Sequence, residues 1–378
     1  MKVGIVHLTL RELGGAERVF ALLVKALNEL GITPEVITEG DAPPQLIMER
    51  FGIPVNYKTI SIKSRVSKMK HFTLYKRLIT AALGVRGLSK YDVIFNTTGG
   101  LTPTEIPDRS TYVLYVFNPL ISADGHFINY RGDLRRYSHG FWYLYSLPFR
   151  VIASRFVRKA VRKAERICTV SRYIKHMVLG AWGNGNYVVA YPPIDEAFRQ
   201  GWGNTRRDGV ILIGRFVPEK RHLDLIKYAE EHREVRVRLV GSVPPQDPTY
   251  FNLVRREAEE KDLKNVELYP NLPFRKLLEL LSESKVLIHA VRNEDLGLTP
   301  AEGVLGGALP LTHNSGGLRE VVPIPTLRFS TTKEMFQLIT VNERKPYQEL
   351  LPTITKLRKY VQKTFTEQGF RKAMLPFY

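Results

Sequence analysis

The strongest constraint on this chain is a rhythm that runs, stops and starts again. Residues 3–8, VGIVHL, are an unbroken apolar run of strand length. Gly14-Gly15 follow, then a helical pattern over 16–30 that Gly31 stops, then a second strand run, PEVIT, at 34–38. Apolar run, glycine turn, amphipathic helix and apolar run make a βαβ unit. YDVIFNT (91–97) and TYVLYVF (111–117) read as further strands, VRKAERICTVS (161–171) as helix, strand and loop, and YIKHMVLGAWG (173–183) as a helix. VVAYPPI (188–194) closes this half, because Pro192-Pro193 forbid simple continuation. The rhythm then restarts with a strand, VILIGR (210–215). A helix over 220–232, a strand at 236–242, a helix at 248–262 and an extended stretch at 266–272 follow. Next come a helix at 273–284, a strand at 286–291, a helix near 299–307 and a strand at 309–314. Such alternation demands parallel sheets with helices on both faces. The expectation is an α/β chain of two doubly wound, Rossmann-like domains facing a cleft. They span residues 1–190 and 210–330, with a linker at 191–209. The tail, 331–378, shows two helical patterns and no clear strand, and is expected to pack against the domains.

Charge narrows the partners. The 378 residues carry a net +19, and residues 50–210 hold 26 basic against 9 acidic residues, so most of the excess lies there. Such a surface suits nucleic acid, anionic lipid or a phosphorylated substrate, or is simply solvated. The basic residues are scattered among helices without the CxxC, GXXG or RNP patterns of compact nucleic-acid modules, so no nucleic-acid partner is expected. The one cysteine, Cys168 in ERICTVS, excludes an internal disulfide and reads as a buried thiol. MKVGIVHLTL is too short for a signal peptide and lacks a cleavage region, and no run reaches about 18 apolar residues. A cytosolic chain, soluble or peripherally membrane-bound, is the expectation. No His, Asp or Cys cluster has metal-ligand spacing and no Asp-x-Asp occurs, so no metal ion is expected.

Four stretches carry candidate chemistry. Gly14-Gly15 lets the backbone approach an anion at a helix N-terminus, although the Gly-x-Gly-x-x-Gly dinucleotide pattern is missing and a ligand-free tight turn reads equally well. GRFVPEK (214–220) directly follows a strand. Arg215 and Lys220 at that carboxyl end suit a diphosphate leaving group, or form a solvated basic loop. In NEDLGLTPAE (293–302), Glu294 follows strand 286–291 by three residues and Glu302 lies one turn inside the next helix. Between them Gly297 lets backbone N–H groups face a ligand, and Leu298 and Thr299 open the helix with Pro300 in its first turn. One carboxylate would accept from sugar hydroxyls and the other from a ribose diol, with pyrophosphate between them. Complementing the helix dipole is the plainer role. HNSGG (313–317) is another strand-to-loop turn, suited to a close backbone approach at the cleft or to nothing more than a turn.

Together GGAE (14–17), GRFVPEK, NEDLGLTPAE and THNSGG (312–317) resemble a retaining GT-B glycosyltransferase of family 4, in the family's order and at its separations. YPPID (191–195) is similar to the family's interdomain region. AWG (181–183) with HNSGG resembles the Alg11-type mannosyltransferases, which extend lipid-linked oligosaccharides from GDP-mannose. The resemblance covers about residues 1–330. It implies that Arg215 and Lys220 hold the donor diphosphate, Glu294 the donor sugar and Glu302 the ribose. It implies that Gly14 and Gly15 approach the phosphate, that the 295–299 loop with Leu296, Gly297, Leu298 and Thr299 supplies backbone contacts, and that the base lies near Val243 and Leu272. Arg215, Lys220 and Glu294 are its catalytic candidates. The N-terminal domain would take the acceptor and the C-terminal domain the nucleotide sugar.

The implied reaction is metal-independent and needs no cofactor besides the donor, with a GDP-sugar favoured and a UDP-sugar the alternative. The implied partners are a lipid-linked or other glycan acceptor and an anionic membrane surface at the inner face of the membrane. FINY (127–130), FWYLYSLPF (141–149) and FVRKAVRK (156–163) are the candidate membrane contact, or core aromatics beside solvated cations. Two departures from the family pattern stand out. YVFNP (115–119) places Phe117 where relatives carry a histidine that positions the donor sugar, leaving Asn118 or His126 as substitutes. Pro218-Glu219-Lys220 stands where many relatives have a shorter, glycine-bearing turn. A nucleotide-sugar 2-epimerase, a phosphorylase, or a non-enzymatic protein binding anionic surfaces or nucleic acid are the rival readings.

Overall fold

The computed structural model describes residues 1–10, 14–39, 43–62, 73–101, 103, 105–128, 137, 139–204, 206–244 and 247–378. They form two compact units, one of Met1–Pro193 with Thr366–Tyr378, the other of Ile194–Phe365.

The first unit contains β1 (Val3–Thr9), α1 (Gly15–Asn28), β2 (Glu35–Glu39), α2 (Pro44–Phe51), β3 (Lys58–Ser61), α3 (Thr73–Ile79), β4 (Val93–Asn96), β5 (Thr111–Val116), α4 (Gly140–Lys163), β6 (Arg166–Thr169), α5 (Arg172–Trp182) and β7 (Tyr187–Val189). The seven strands are parallel in the order β3-β2-β1-β4-β5-β6-β7. The middle strands read as unbroken apolar runs because helices cover both their faces: Ile5, Val6, Ile94, Phe95, Val113 and Leu114 are fully buried. α1 turns Val19, Phe20, Leu23 and Leu27 into this core. Three elements lie beyond the sequence reading: α2, α3 and β3. β3 exposes most of its side chains and so lacks the apolar run that marks the others.

The second unit contains β8 (Asp208–Ile213), α6 (His222–Glu231), β9 (Val237–Gly241), α7 (Thr249–Glu260), β10 (Val266–Pro270), α8 (Phe274–Glu283), β11 (Ser284–His289), α9 (Leu298–Gly306), β12 (Leu309–His313), α10 (Leu318–Val321), β13 (Arg328–Phe329), α11 (Thr332–Arg344) and α12 (Tyr347–Thr364). Its strands run parallel in the order β10-β9-β8-β11-β12-β13. Every residue of β11 is buried, as its central place requires. β11 ends at His289, so Glu294 lies five residues beyond the strand rather than three.

The tail holds three helices, not two. The last, α13 (Glu367–Met374), belongs to the first unit, where Phe370 and Met374 are buried. Arg166 donates to the carbonyls of Lys372 and Ala373 at 2.9 Å, and the Cys168 thiol donates to Ala373 O at 3.3 Å. Burial pushes that thiol up to about 12, so it is an inert core group.

Candidate functional site

In an open parallel sheet, the loops after two adjacent strands part company where the strand order reverses, and a crevice opens at their carboxyl ends. In the second unit that point lies between β8 and β11. The loop after β8 carries Gly214 to Lys220, and the loop after β11 carries Glu294. The structure brings the two predicted residues together: Lys220 Nζ donates to Glu294 Oε2 at 3.1 Å, across 74 positions of sequence. The lysine stem runs beside Gly214, where a Cβ would stand 3.0 Å from its Cδ.

The Glu294 loop is held by the other predicted turn. Asn293 has φ +52, and its N–H donates to Ser315 Oγ at 2.7 Å. Ser315 Oγ in turn lies 2.8 Å from His313 Nδ1. The Gly317 N–H donates to Glu294 O at 2.8 Å. Gly316, at φ +63, passes so close that a Cβ would fall 2.4 Å from Glu294 O. The glycines of HNSGG therefore serve a close approach to the backbone that carries Glu294. Gly297, at φ +82, caps α9, so the helix starts at Leu298 and Thr299 as expected. Glu302, one turn in, is buried.

One member of the cluster was not anticipated. His289, the last residue of β11, is buried, and its Nε2 lies 3.2 Å from Glu294 Oε2. A carboxylate can only accept, so the imidazole N–H points to it. Burial holds the His289 pKa below its ordinary value; the hydrogen bond to Glu294 opposes this and the Lys220 charge adds to it. The ring is thus neutral and orients the carboxylate without adding charge. A histidine closing the apolar strand VLIHAV is the sequence signal that could have found it.

The remaining predicted residues take other places. Arg215 is exposed just beyond β8. Val243 and Leu272 follow β9 and β10 and are linked through Asn271, whose Oδ1 accepts from the Val243 N–H at 2.9 Å and whose own N–H donates to Gly241 O. Leu296 is buried, whereas Leu272 is half-buried.

Gly14 and Gly15 lie in the first unit, beside its own reversal point between β1 and β4. There the Gly14 N–H donates to Glu17 Oε2 at 2.7 Å, so the acid of GGAE reaches back to the N-cap backbone, the half of a capping box that a glycine N-cap allows. His7 Nε2 stands 3.8 Å from Glu17 Oε1, and His7 Nδ1 lies 2.7 Å from Thr97 Oγ1. Burial pushes the Glu17 carboxyl up, but the neighbouring His7, with the N–H groups of Glu17 and Gly14, carries it below the usual range. Among the described residues, nothing beyond its own chain neighbours and helix backbone stands within 4 Å of where a Gly15 Cβ would lie.

Phe117 is half-buried with its ring 4.6 Å from that of Tyr115. Asn118 and His126 are exposed, and His126 Nδ1 lies 3.1 Å from an Arg150 guanidinium nitrogen. Trp182 of AWG is core: its indole N–H donates to Ile121 O at 2.7 Å. Asn129 and Tyr130 of FINY lie outside the described residues.

The second-unit cluster offers a cation, a carboxylate fixed by a neutral imidazole, and a helix N-terminus, the donor set suited to an anion bearing hydroxyl groups. Among the described residues, no group of three or more His, Cys, Asp and Glu is placed to hold a metal ion. No described helix is long and apolar enough to cross a membrane.

Residues 13–198 match the family described as Glycosyltransferase Family 4, and residues 194–323 match Glycosyl transferases group 1. Among solved structures, Anabaena HepE in complex with UDP and glucose superposes with a TM-score of 0.70 at 17% identity, covering 98% of this chain and 97% of that one. Sucrose-phosphate synthase of Thermosynechococcus elongatus gives 0.70 at 16%, covering 99% and 97%. The chain has the GT-B fold, and its two halves match glycosyltransferase family models that together span residues 13–323. Within that class it is related to the GDP-Man:Man(3)GlcNAc(2)-PP-Dol alpha-1,2-mannosyltransferases. That of Dictyostelium discoideum is 26% identical and covers 100% of this chain and 84% of the relative. That of Homo sapiens is 25% identical and covers 82% and 72%.

Proposed function

We propose that this chain transfers mannose from GDP-mannose, with retention of anomeric configuration, to a hydroxyl of a lipid-linked glycan at a membrane surface. The observation that carries the reading is the Lys220–Glu294–His289 cluster at the reversal point of the second sheet, beside the N-terminus of α9. The likeness to alpha-1,2-mannosyltransferases over the whole chain supports the donor and acceptor.

In this reading Lys220 and Arg215 bind the donor diphosphate, Glu294 accepts from mannose hydroxyls and Glu302 from the ribose. Backbone groups of Leu296, Gly297, Leu298 and Thr299 line the pyrophosphate, Val243 and Leu272 flank the base, and Gly14 and Gly15 approach the phosphate. The bond between the anomeric carbon and the phosphate oxygen breaks while the acceptor oxygen bonds to that carbon from the same face. The acceptor proton passes to the departing phosphate. Negative charge grows on the diphosphate, and cations fixed beforehand stabilise it without reorganising. The Lys220 ammonium has three donors, so it keeps Glu294 on one and turns the others to the diphosphate.

The test is melting temperature with GDP, UDP and ADP, then transfer from GDP-mannose and UDP-glucose to a lipid-linked oligomannose acceptor. The expected result is stabilisation by GDP and formation of an alpha-linked mannoside. Stabilisation by UDP alone, with no transfer from GDP-mannose, would overturn the donor assignment. Release of a free epimerised sugar nucleotide would overturn the reaction.

A further inference from the structure

The unusual feature outside the site is the outer face of α4. Its buried face is Ser146, Phe149, Ala153, Val157 and Ala160, at steps of three and four. Phe149 stacks on Phe127 there, so part of the aromatic sequence is core. The opposite face keeps the same spacing: Phe141, Leu144, Pro148, Val151, Arg155, Arg158 and Arg162 are all exposed. Phe141 is 72% exposed, Leu144 64% and Val151 52%, with Trp142 and Ile152 exposed alongside. A helix face turned to water is ordinarily polar. This one is apolar for its first half and cationic for its second. Of the cations here, Arg158 donates to Ala123 O and Lys163 is paired with Asp108, while Lys159 is half-buried.

We infer that this stripe of α4 is the element by which the chain docks on an anionic lipid bilayer, its Phe141–Val151 half entering the interface and its arginines resting on the headgroups. The inference rests on the lipid-linked acceptor reading for its purpose and on the stripe for its evidence. A lipid interface itself passes from apolar chains to charged headgroups, and an apolar-to-cationic rod lying at a tilt matches both layers. Trp142 and Tyr143 flank the apolar half, where interface-seeking rings belong. A second copy fits poorly: parallel stripes oppose arginine to arginine, and antiparallel stripes bury arginines against Leu144 and Val151.

The full chain is tested with phosphatidylcholine vesicles, with and without phosphatidylserine, by sedimentation and by tryptophan fluorescence. Trp142→Phe identifies that residue's share of the signal. The wild type is expected to sediment with the phosphatidylserine vesicles at low salt, with a blue shift from Trp142. Phe141→Asp with Leu144→Asp should weaken partitioning at least ~10-fold. Arg155→Gln with Arg162→Gln should erase the phosphatidylserine preference, roughly fivefold per arginine. All four side chains are exposed, so melting temperature should hold. If the aspartate pair melts early, Val151→Asp takes its place. Sedimentation of either double variant like the wild type would refute the assignment. So would a vesicle-free dimer that the aspartates dissolve. A wild type that transfers to lipid-linked acceptor in detergent but ignores vesicles overturns the surface alone. Vesicle binding with transfer only to water-soluble sugars overturns the acceptor reading alone.

Discussion

Gly316→Ala tests whether the HNSGG turn sets the position of Glu294. The backbone there has φ +63, which costs an L-residue roughly 1–2 kcal/mol. The added Cβ would stand 2.4 Å from Glu294 O and 2.8 Å from Glu294 N, where ordinary contact begins at 3.4 Å. Both neighbours are backbone, so relief requires the loop to retreat by about 1 Å, at the ~1–3 kcal/mol typical of overpacking. The sum is about 2–5 kcal/mol, or a melting temperature lower by about 4–20 °C for a unit of this size. Glu294 moves with its backbone, away from Lys220 and His289. A misplacement of about 1 Å at a reacting centre costs on the order of 100-fold in rate. Gly31→Ala is the control: its φ is +74 but, among the described residues, nothing beyond its chain neighbours lies within 4 Å of the new Cβ, so the conformational cost dominates. The assay is calorimetry beside transfer kinetics measured below the transition. Gly316→Ala with wild-type kcat and donor KM would refute the reasoning, because the loop would then tolerate the displacement. A melting temperature no lower than that of Gly31→Ala would show that the close approach is not there.

Lys220→Ala should lower turnover at least ~10-fold, as loss of a charge contact made in the transition state does, with a smaller effect on melting. Normal turnover at both low and saturating donor would remove Lys220 from the mechanism. His222, fully buried and stacked on Phe216, has its pKa lowered to about 4 by burial. The ring is neutral in both states above an ordinary pKa of about 6.5; below it the unfolded ring protonates first, so stability drains as pH falls towards about 4, by up to about 3 kcal/mol. Melting of wild type and His222→Phe at pH 7 and pH 5 checks this, and an equal drop in both excludes His222 as the cause. Phe117→His should leave turnover similar or raise it modestly if the family's histidine role has been dropped, and should shift donor preference if Phe117 shapes the sugar pocket. Unchanged rate and preference across mannose, glucose and N-acetylglucosamine donors would place Phe117 outside the site.

The doubly wound fold was legible because central parallel strands have no polar face: VGIVHL and VLIHAV mark themselves as apolar runs between glycine turns. The exposed strand β3 has no such mark and escaped notice. The placement of α13 was hidden for another reason. An amphipathic pattern says that Phe370 and Met374 need a partner, but the partners are α1 and the strand β6, more than 200 residues upstream, with Arg166 and Cys168 meeting the carbonyls of Lys372 and Ala373. At the site, Lys220, Glu294 and Glu302 could be chosen from their positions after strands. That Lys220 touches Glu294 could not, since contact across 74 residues is set by strand order, which spacing does not encode. The tryptophan of AWG, read as a mark of kinship, turned out to have a packing role beneath Gly100 and Ile121.

Strand order also explains why each unit carries a buried histidine beside a carboxylate at the same topological point. In the second unit His289 ends β11 and meets Glu294 beyond the β8/β11 reversal; in the first, His7 on β1 meets Glu17 at the start of α1 and Thr97 beyond β4. A reversal point is where loops diverge, so it is the least supported place for a side chain that must hold one direction. A carboxylate left there unpartnered would sample several rotamers and lose that freedom on binding, at a cost of up to about 2 kcal/mol. In the second unit the buried His289 removes that loss in advance, because its neutral N–H fixes the acceptor while leaving the carboxylate its charge. The first unit applies the device to backbone, since Glu17 holds the Gly14 N–H; the second applies it to Glu294 itself. The two units thus share a placement but not a use: in the first the acid beside the sheet histidine fixes the glycine turn, whereas in the second a glycine turn fixes the backbone of the acid that the histidine orients.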